Sequence, residues 1–213
     1  MFKNNFAIGI PTINRLDLLH PALLYYLMDF PEIEIHILDN GKQDIDKRIS
    51  HPNIIVTETD VNYGVAKSWN TLCDDIFQNH EYALILNDDI YLGRTQWEIL
   101  SLLVNPEYKS DLYVGTQDWC CFLLPKKTFE IVGRFDENFY PAYYEDNDYH
   151  YRLNLGGMKT LHIPYLNPLV HRSSKTIEKD SSLRTLFEDN KDYYIHKWGG
   201  EPTKETYSTP FNK

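Results

Sequence analysis

The chain has little cysteine: three residues in 213, at Cys73, Cys120 and Cys121. The number is odd, two are adjacent, and none has zinc-ligand spacing, which excludes a disulfide framework and a structural zinc module. A reduced, cytoplasmic protein is the expectation. Long hydrophobic runs are missing too, so no membrane span is expected, and no signal-peptide pattern is seen. Positive charge is scarce, with 21 Lys and Arg against 31 Asp and Glu, a net charge of −10. No basic cluster interrupts that excess, which excludes a nucleic-acid polymer as partner. A small anionic ligand then needs a cation to carry the compensating charge. There is no internal repeat and no low-complexity segment.

What is present centres on Tyr82-Ala-Leu-Ile-Leu-Asn-Asp-Asp-Ile-Tyr91. Residues 83–86 form a short apolar run, as in a strand buried on both faces of a parallel sheet. It stops at Asn87, Asp88 and Asp89, which places oxygen-bearing side chains at the strand's carboxyl end, where open α/β sheets bind ligands. Adjacent carboxylates repel, and Mg²⁺ or Mn²⁺ takes oxygen ligands of this kind. A solvated turn reads the same way locally.

The remaining order is strand, helix, strand, strand, helix, strand, helix, the pattern of an α/β protein with a largely parallel sheet. Residues 7–10 form a strand leading to Pro11-Thr12-Ile13-Asn14. A helix follows with Leu16, Leu19, Leu23, Tyr26, Leu27 and Phe30 at helical spacing, kinked by Pro21 or begun near it. Residues 32–38 alternate as a period-two strand ending in Asp39-Asn40-Gly41, and 53–57 form a third strand. Val61-Asn-Tyr-Gly64 turns into a helix with one apolar face. Gly64 allows close approach at its start, where a helix N-terminus can receive an anion. Thr95-Gln-Trp-Glu98 reads as a capping box opening the next helix.

The second half is less regular. Residues 112–115 and 120–124 read as strands and 126–132 as a helix stopped by Gly133. Gly133 to Leu153 mixes acidic and aromatic residues densely. A helix is expected from about 146 to 155, ended by Gly156-Gly157, then a strand at 160–163. His171-Arg-Ser-Ser-Lys-Thr176 is a polar loop. A terminal helix over 183–198 closes at Gly199-Gly200, and 201–213 is a tail or linker.

Taken in order, these pieces resemble the GT-A glycosyltransferases, especially the family-2-like enzymes and a viral branch that decorates capsid glycans. The residues that carry the resemblance are Pro11-Thr12, Asp39, Asn62-x-Gly64 and Asn87-Asp88-Asp89. They continue with Gly133-x-Phe-Asp-Glu137, Glu145-Asp146-x-Asp148 with Arg152, His171 with Ser174 and Thr176, and Lys197-Trp-Gly199. Asn87 departs from the first Asp of the family's Asp-x-Asp motif and brings no charge to a metal. The resemblance implies a single GT-A domain over 1–200, Rossmann-like, with a mostly parallel central sheet flanked by helices and a smaller acceptor-side region. A nucleotide-sugar half covers about 1–92 and an acceptor half about 93–200, with room for further domains C-terminal to the chain. It implies a UDP-sugar donor, a glycan acceptor and Mn²⁺ or Mg²⁺.

By the same resemblance Asp39 accepts a hydrogen bond from the uracil imide, and Pro11, Thr12 and Arg15 flank base and ribose. Asn62, Gly64, Lys67 and Asn87 stand on the donor side, Asp88 holds ribose or sugar, and Asp89 ligates the cation with His171 as an additional ligand. Asp146 is the base of an inverting transfer. Glu145 and Asp148 bind acceptor or orient loops, and Tyr140, Tyr143, Tyr144 and Trp119 are candidates to floor an acceptor sugar. Bland alternatives stay open: Asp39 as a turn residue, His171 as a surface residue, the 145–148 run as a helix start. Two other functions also fit parts of the pattern. A sugar-1-phosphate nucleotidyltransferase needs a glycine-rich loop that Ile10-Pro-Thr-Ile-Asn14 does not have. An inactive carbohydrate-binding module needs no metal carboxylates and base together.

Overall fold

The structure, a computed structural model, describes residues 5–104, 111–115, 118–163 and 182–213. The elements are β1 Phe6–Thr12, α1 Leu16–Asp29, β2 Ile35–Asp39, α2 Ile45–Arg48, β3 Ile54–Glu58, α3 Gly64–Ile76 and β4 Tyr82–Leu86. They continue with α4 Arg94–Leu103, β5 Leu112–Gly115, β6 Asp118–Pro125, α5 Lys126–Val132, α6 Glu145–Leu155, β7 Thr160–Ile163 and α7 Ser182–Trp198. One seven-stranded sheet runs β3-β2-β1-β4-β6-β5-β7. Among the described residues only β6 runs against its neighbours, β4 and β5; the other pairings are parallel. The expected α/β class with a mostly parallel sheet is the class observed. Pairing of β4 with β6 joins the two sequence halves in one sheet.

Side-chain alternation along β1 and β4 builds a core on each face. Phe6, Ile8, Ile10, Leu84 and Leu86 pack under α1 and α4 with Leu19, Leu23, Tyr26, Trp97 and Leu100. On the opposite face Ala7, Ala83, Ile85, Phe122 and Leu124 meet Trp69, Leu72, Cys73 and Ile76 of α3 and Tyr149 and Leu153 of α6. Each buried Leu, Ile or Phe among them contributes about 1.5–3 kcal/mol. Gly9 lets α3 approach: a Cβ there would lie 2.7 Å from Ile85 Cδ1 and 3.2 Å from Leu72 Cβ. A third cluster, Phe139, Tyr194 and Trp198 with Tyr144, Tyr151 and Tyr193, joins α7 to the start of α6. None of the three cysteines forms a disulfide, and all are buried. No helix among the described residues is long and apolar enough to cross a membrane.

Four local expectations are corrected. β2 begins at Ile35 and is buried along its whole length rather than on alternate residues. It lies between β1 and β3, and His36 is accommodated by Glu34 at 2.8 Å. α4 starts at Arg94, with Gly93 at the N-cap donating its N–H to Gln96 Oε1 at 2.9 Å, so Thr95 lies inside the first turn. The four-residue α2 was not expected, being too short to show a period. Residues 201–213 are folded back rather than loose. Thr206 and Tyr207 amides donate to the Trp198 carbonyl at 3.0 Å, and Tyr151 Oη donates to the Tyr207 carbonyl at 2.8 Å. Gly199, at φ 73°, makes this reversal possible, since a Cβ would meet Thr206 Oγ1 at 2.4 Å.

Candidate active site

The carboxyl ends of β1, β2 and β4 meet at one sheet edge. After Leu86 the chain turns: Asn87 N–H donates to the Cys120 carbonyl at 3.0 Å and Ile90 N–H to the Asn87 carbonyl at 3.2 Å. The Tyr26 hydroxyl donates to the Ile90 carbonyl and pins the far side of the turn. This points Asp88 back across the edge, where Thr12 Oγ1 donates to its Oδ2 at 2.8 Å. Asp89 is buried. Burial, then the neighbouring Asp89 charge, pushes the Asp88 carboxyl up to about 6 against the opposing Thr12 bond and Arg15 charge. Arg15 pairs with Asp17 at 3.0 Å, and its pKa is raised chiefly by that bond, with Asp88 and Asp89 adding to it.

Two adjacent desolvated carboxylates, with one neutral hydroxyl on Asp88, are a hard-oxygen donor set that fits Mg²⁺ or Mn²⁺. A separate acidic trio, Asp44, Asp46 and Glu58, has ligand atoms within 4.8 Å of one another, but it is fully at the surface and Asp44 is paired with Lys47 at 2.5 Å. None of its residues belongs to the Asp88–Asp89 edge. His171, Ser174 and Thr176 lie outside the described residues.

Asp39 stands beside Thr12 in the β1–β2 register, at the edge where the sequence puts it. Its carboxylate faces inward. Gly41 N–H donates at 2.8 Å, Gln43 N–H at 2.6 Å and Gln43 Nε2 at 3.1 Å, and the residue is 0% exposed. Gln43 Oε1 in turn accepts from Leu16 N–H at 2.8 Å, which ties this turn to the start of α1. As placed, Asp39 builds the turn and offers no open oxygen to a base.

The Asn62-x-Gly64 segment is also a joint. Asn62 Oδ1 accepts from Gly64 N–H at 2.9 Å, and Val65 N–H donates to the Pro141 carbonyl at 2.7 Å. Gly64 has φ 71°, and a Cβ there would sit 2.7 Å from that carbonyl. The first two amides of α3 are therefore bonded within the protein. Lys67 Nζ lies 3.8 Å over the Tyr63 ring. What the joint accomplishes is to bind the start of α3 to residues 140–141, just ahead of α6.

The three acidic residues of α6 occupy different environments. Glu145 is nine-tenths buried with Oε2 lacking any partner. Burial, then the Asp146 charge, pushes its carboxyl up to about 8 against bonds from its own and the Tyr143 amide. Asp146 is half-buried, and its Oδ1 accepts from Asn147 N–H at 2.8 Å. Asp148 is wholly enclosed. Arg152 Nε donates to Oδ2 at 2.9 Å, while Trp198 Nε1 at 2.8 Å and Lys197 Nζ at 2.5 Å hold Oδ1. Of its two expected roles, binding acceptor or orienting a loop, this geometry leaves the second. Trp119 packs against Trp69, Phe122 and Tyr149, whereas Tyr140 is exposed and Tyr143 and Tyr144 are half-buried.

Some residues of the site went unassigned in the sequence. Asn40, visible there only as part of a turn signal, links β2 to α3: Nδ2 donates to Ser68 Oγ at 2.9 Å and Oδ1 accepts from Tyr63 N–H at 3.0 Å. Asn70 clamps Phe135 by its N–H at 2.8 Å and carbonyl at 2.9 Å. Asn190 had no sequence signal.

No family model and no curated protein matches the chain. Solved structures do. A mannosyltransferase from Pyrobaculum calidifontis, in complex with GDP-Man and Mn²⁺, aligns at TM-score 0.62 and 14% identity over 79% of this chain and 58% of its own. GalNAc-T7 with UDP, GalNAc and Mn²⁺ aligns at TM-score 0.64 and 13% identity over 90% and 50%. The fold is GT-A. A Drosophila galactosyltransferase 7 with manganese, UDP-Gal and xylobiose agrees, at TM-score 0.52 and 12% identity over 85% and 78%. The chain spans about half the length of the first two structures.

Proposed function

We propose that the chain is a metal-dependent glycosyltransferase that moves a sugar from a UDP-linked donor to a hydroxyl of a glycan, with inversion. One observation carries the reading: the desolvated Asp88–Asp89 pair at the β1–β4 edge of a GT-A sheet, tethered by Thr12. The nucleotide sugars and Mn²⁺ bound by the structural neighbours support it. So does the sequence resemblance to viral enzymes of capsid glycans, from which we take a glycan hydroxyl as acceptor.

In this reading Pro11, Thr12 and Arg15 line the base and ribose side. Asp88 and Asp89 would hold the cation, which when bound neutralises charge on the departing diphosphate. Asp39 shapes the base pocket through its turn. Asp146 takes the proton of the attacking hydroxyl. Glu145, whose carboxyl burial pushes up, orients the loop beside Asp146. Asp148 keeps α6 in place. The test is incubation of the full chain with a panel of nucleotide sugars and Mn²⁺, following donor hydrolysis and transfer to simple glycosides. Turnover of a UDP-sugar supports the reading. Pyrophosphate release from a nucleoside triphosphate and a sugar-1-phosphate, without sugar transfer, would replace it with nucleotidyl transfer.

A further inference from the structure

The two residues before α6, Tyr143 and Tyr144, are both left-handed, at φ 80° and 72°. A side chain with a Cβ resists that backbone, so two in succession need support from outside. No side chain caps the start of α6. The support comes from α7, 40 to 50 residues further along the chain. Asn190, itself 5% exposed, donates from one Nδ2 to the Ala142 carbonyl at 2.8 Å and to the Tyr143 carbonyl at 3.2 Å. Phe187 lies with its ring centroid 5.4 Å from Tyr143 and 5.3 Å from Tyr144, and Tyr194 lies 5.5 Å from Tyr144. Lys197 and Trp198 then hold Asp148. Residues 187, 190, 194 and 197 fall on one face of a helix by their spacing. That face grips the strained turn and the first turn of α6 together.

We propose that Asn190 is a positioning residue: it holds the 142–144 turn in the strained form that aims Glu145 and Asp146 at the acceptor. The catalytic consequence rests on the function proposed above; the structural part does not. Both partners of Nδ2 are carbonyls, which only a hydrogen-bond donor satisfies, and an amide carries two hydrogens for the two of them. An isosteric carboxylate at 190 would face two carbonyl oxygens with no proton to share.

The test compares the full chain with Asn190→Asp, and with Asn190→Ser should the first fail to fold. Tyr194→Phe is the control on the same helix, because it keeps the ring that packs on Tyr144 and removes only the hydroxyl bonded to Glu205. Amide hydrogen exchange over residues 140–149 is read first. Exchange faster by about tenfold or more there in the Asn190 variant, and not in the control, is the expected result. In transfer assays kcat should fall by about 10²-fold, the scale of a small misplacement, with nucleotide affinity unchanged. The control should lose thermal stability and keep its kcat. Unchanged exchange over 140–149 overturns the proposal, as does faster exchange with unaltered kcat. If the parent chain transfers no sugar, it is the glycosyltransferase reading that has failed, and the exchange result alone decides whether Asn190 holds the turn.

Discussion

Replacing Lys197 with methionine keeps most of the side-chain volume and removes one buried charge. Lys197 is 6% exposed, and its Nζ lies 2.6 Å from Asp136 Oδ2 and 2.5 Å from Asp148 Oδ1. Asp148 would keep Arg152 and Trp198, and Asp136 would keep the Tyr193 hydroxyl at 3.0 Å. Removing one member of a buried ion pair costs about 3–5 kcal/mol, because the other charge stays behind. Those remaining partners place Lys197→Met toward the lower end, about 3 kcal/mol. Urea denaturation should show that loss as a shift in midpoint at unchanged slope. The pH dependence has a definite sign. Burial alone would raise the Asp136 carboxyl, but the Lys197 bond and charge and the Asn138 bonds hold it below its ordinary value. A depressed carboxyl stabilises above its unfolded pKa, and that contribution is lost as pH falls through the folded value. The gap between parent and variant should therefore be full near neutrality and narrow below about pH 4. A loss under about 1 kcal/mol at neutral pH, or a gap independent of pH, would refute the idea that this lysine neutralises two buried carboxylates.

Other outcomes follow from the same geometry. Asp39→Ala strands the amides of Gly41 and Gln43 and should cost about 1.5–3 kcal/mol in urea denaturation, with Asp39→Asn recovering part. Parent-like stability combined with lost uridine affinity would restore the base-reading role instead. Asp146→Asn should lower transfer by about 10²–10⁴-fold with donor affinity unchanged; near-normal transfer would place the base elsewhere. Glu145, pushed up from 4.5 to about 8, binds its proton more tightly in the folded state, so stability falls as pH rises through that window. Glu145→Gln should flatten that slope in thermal melts from pH 5 to 9, and an unaltered slope would contradict the assignment.

The strands were legible because burial on both faces writes itself as short apolar runs, and residues 83–86 and 120–124 stand out on that ground. β2 was harder, since Glu34 and His36 read as solvent positions until their mutual bond is seen. The carboxylate edge could be read from Asn87-Asp88-Asp89 because it lies within five residues of the strand that positions it. The inward turn of Asp39 could not, because Gln43 decides it, and Asp-Asn-Gly turns serve both purposes. Asp148 and Asp146 differ only in which side of α6 they face, and that depends on α7, whose contacts lie far along the chain. Asn190 left no trace in the sequence because a single amide in a helix has no pattern. The folded tail was hidden in the same way, its polar composition masking a close fit around Gly199.

The central claim is that the Asp88–Asp89 edge holds a cation for a nucleotide diphosphate, and titration calorimetry of UDP into the full chain tests it most directly. Run with Mn²⁺, with EDTA, and with Asp89→Ala in Mn²⁺, it should give binding in the first case and sharply weaker binding in the other two. Equal UDP affinity with Mn²⁺ and with EDTA would contradict the claim.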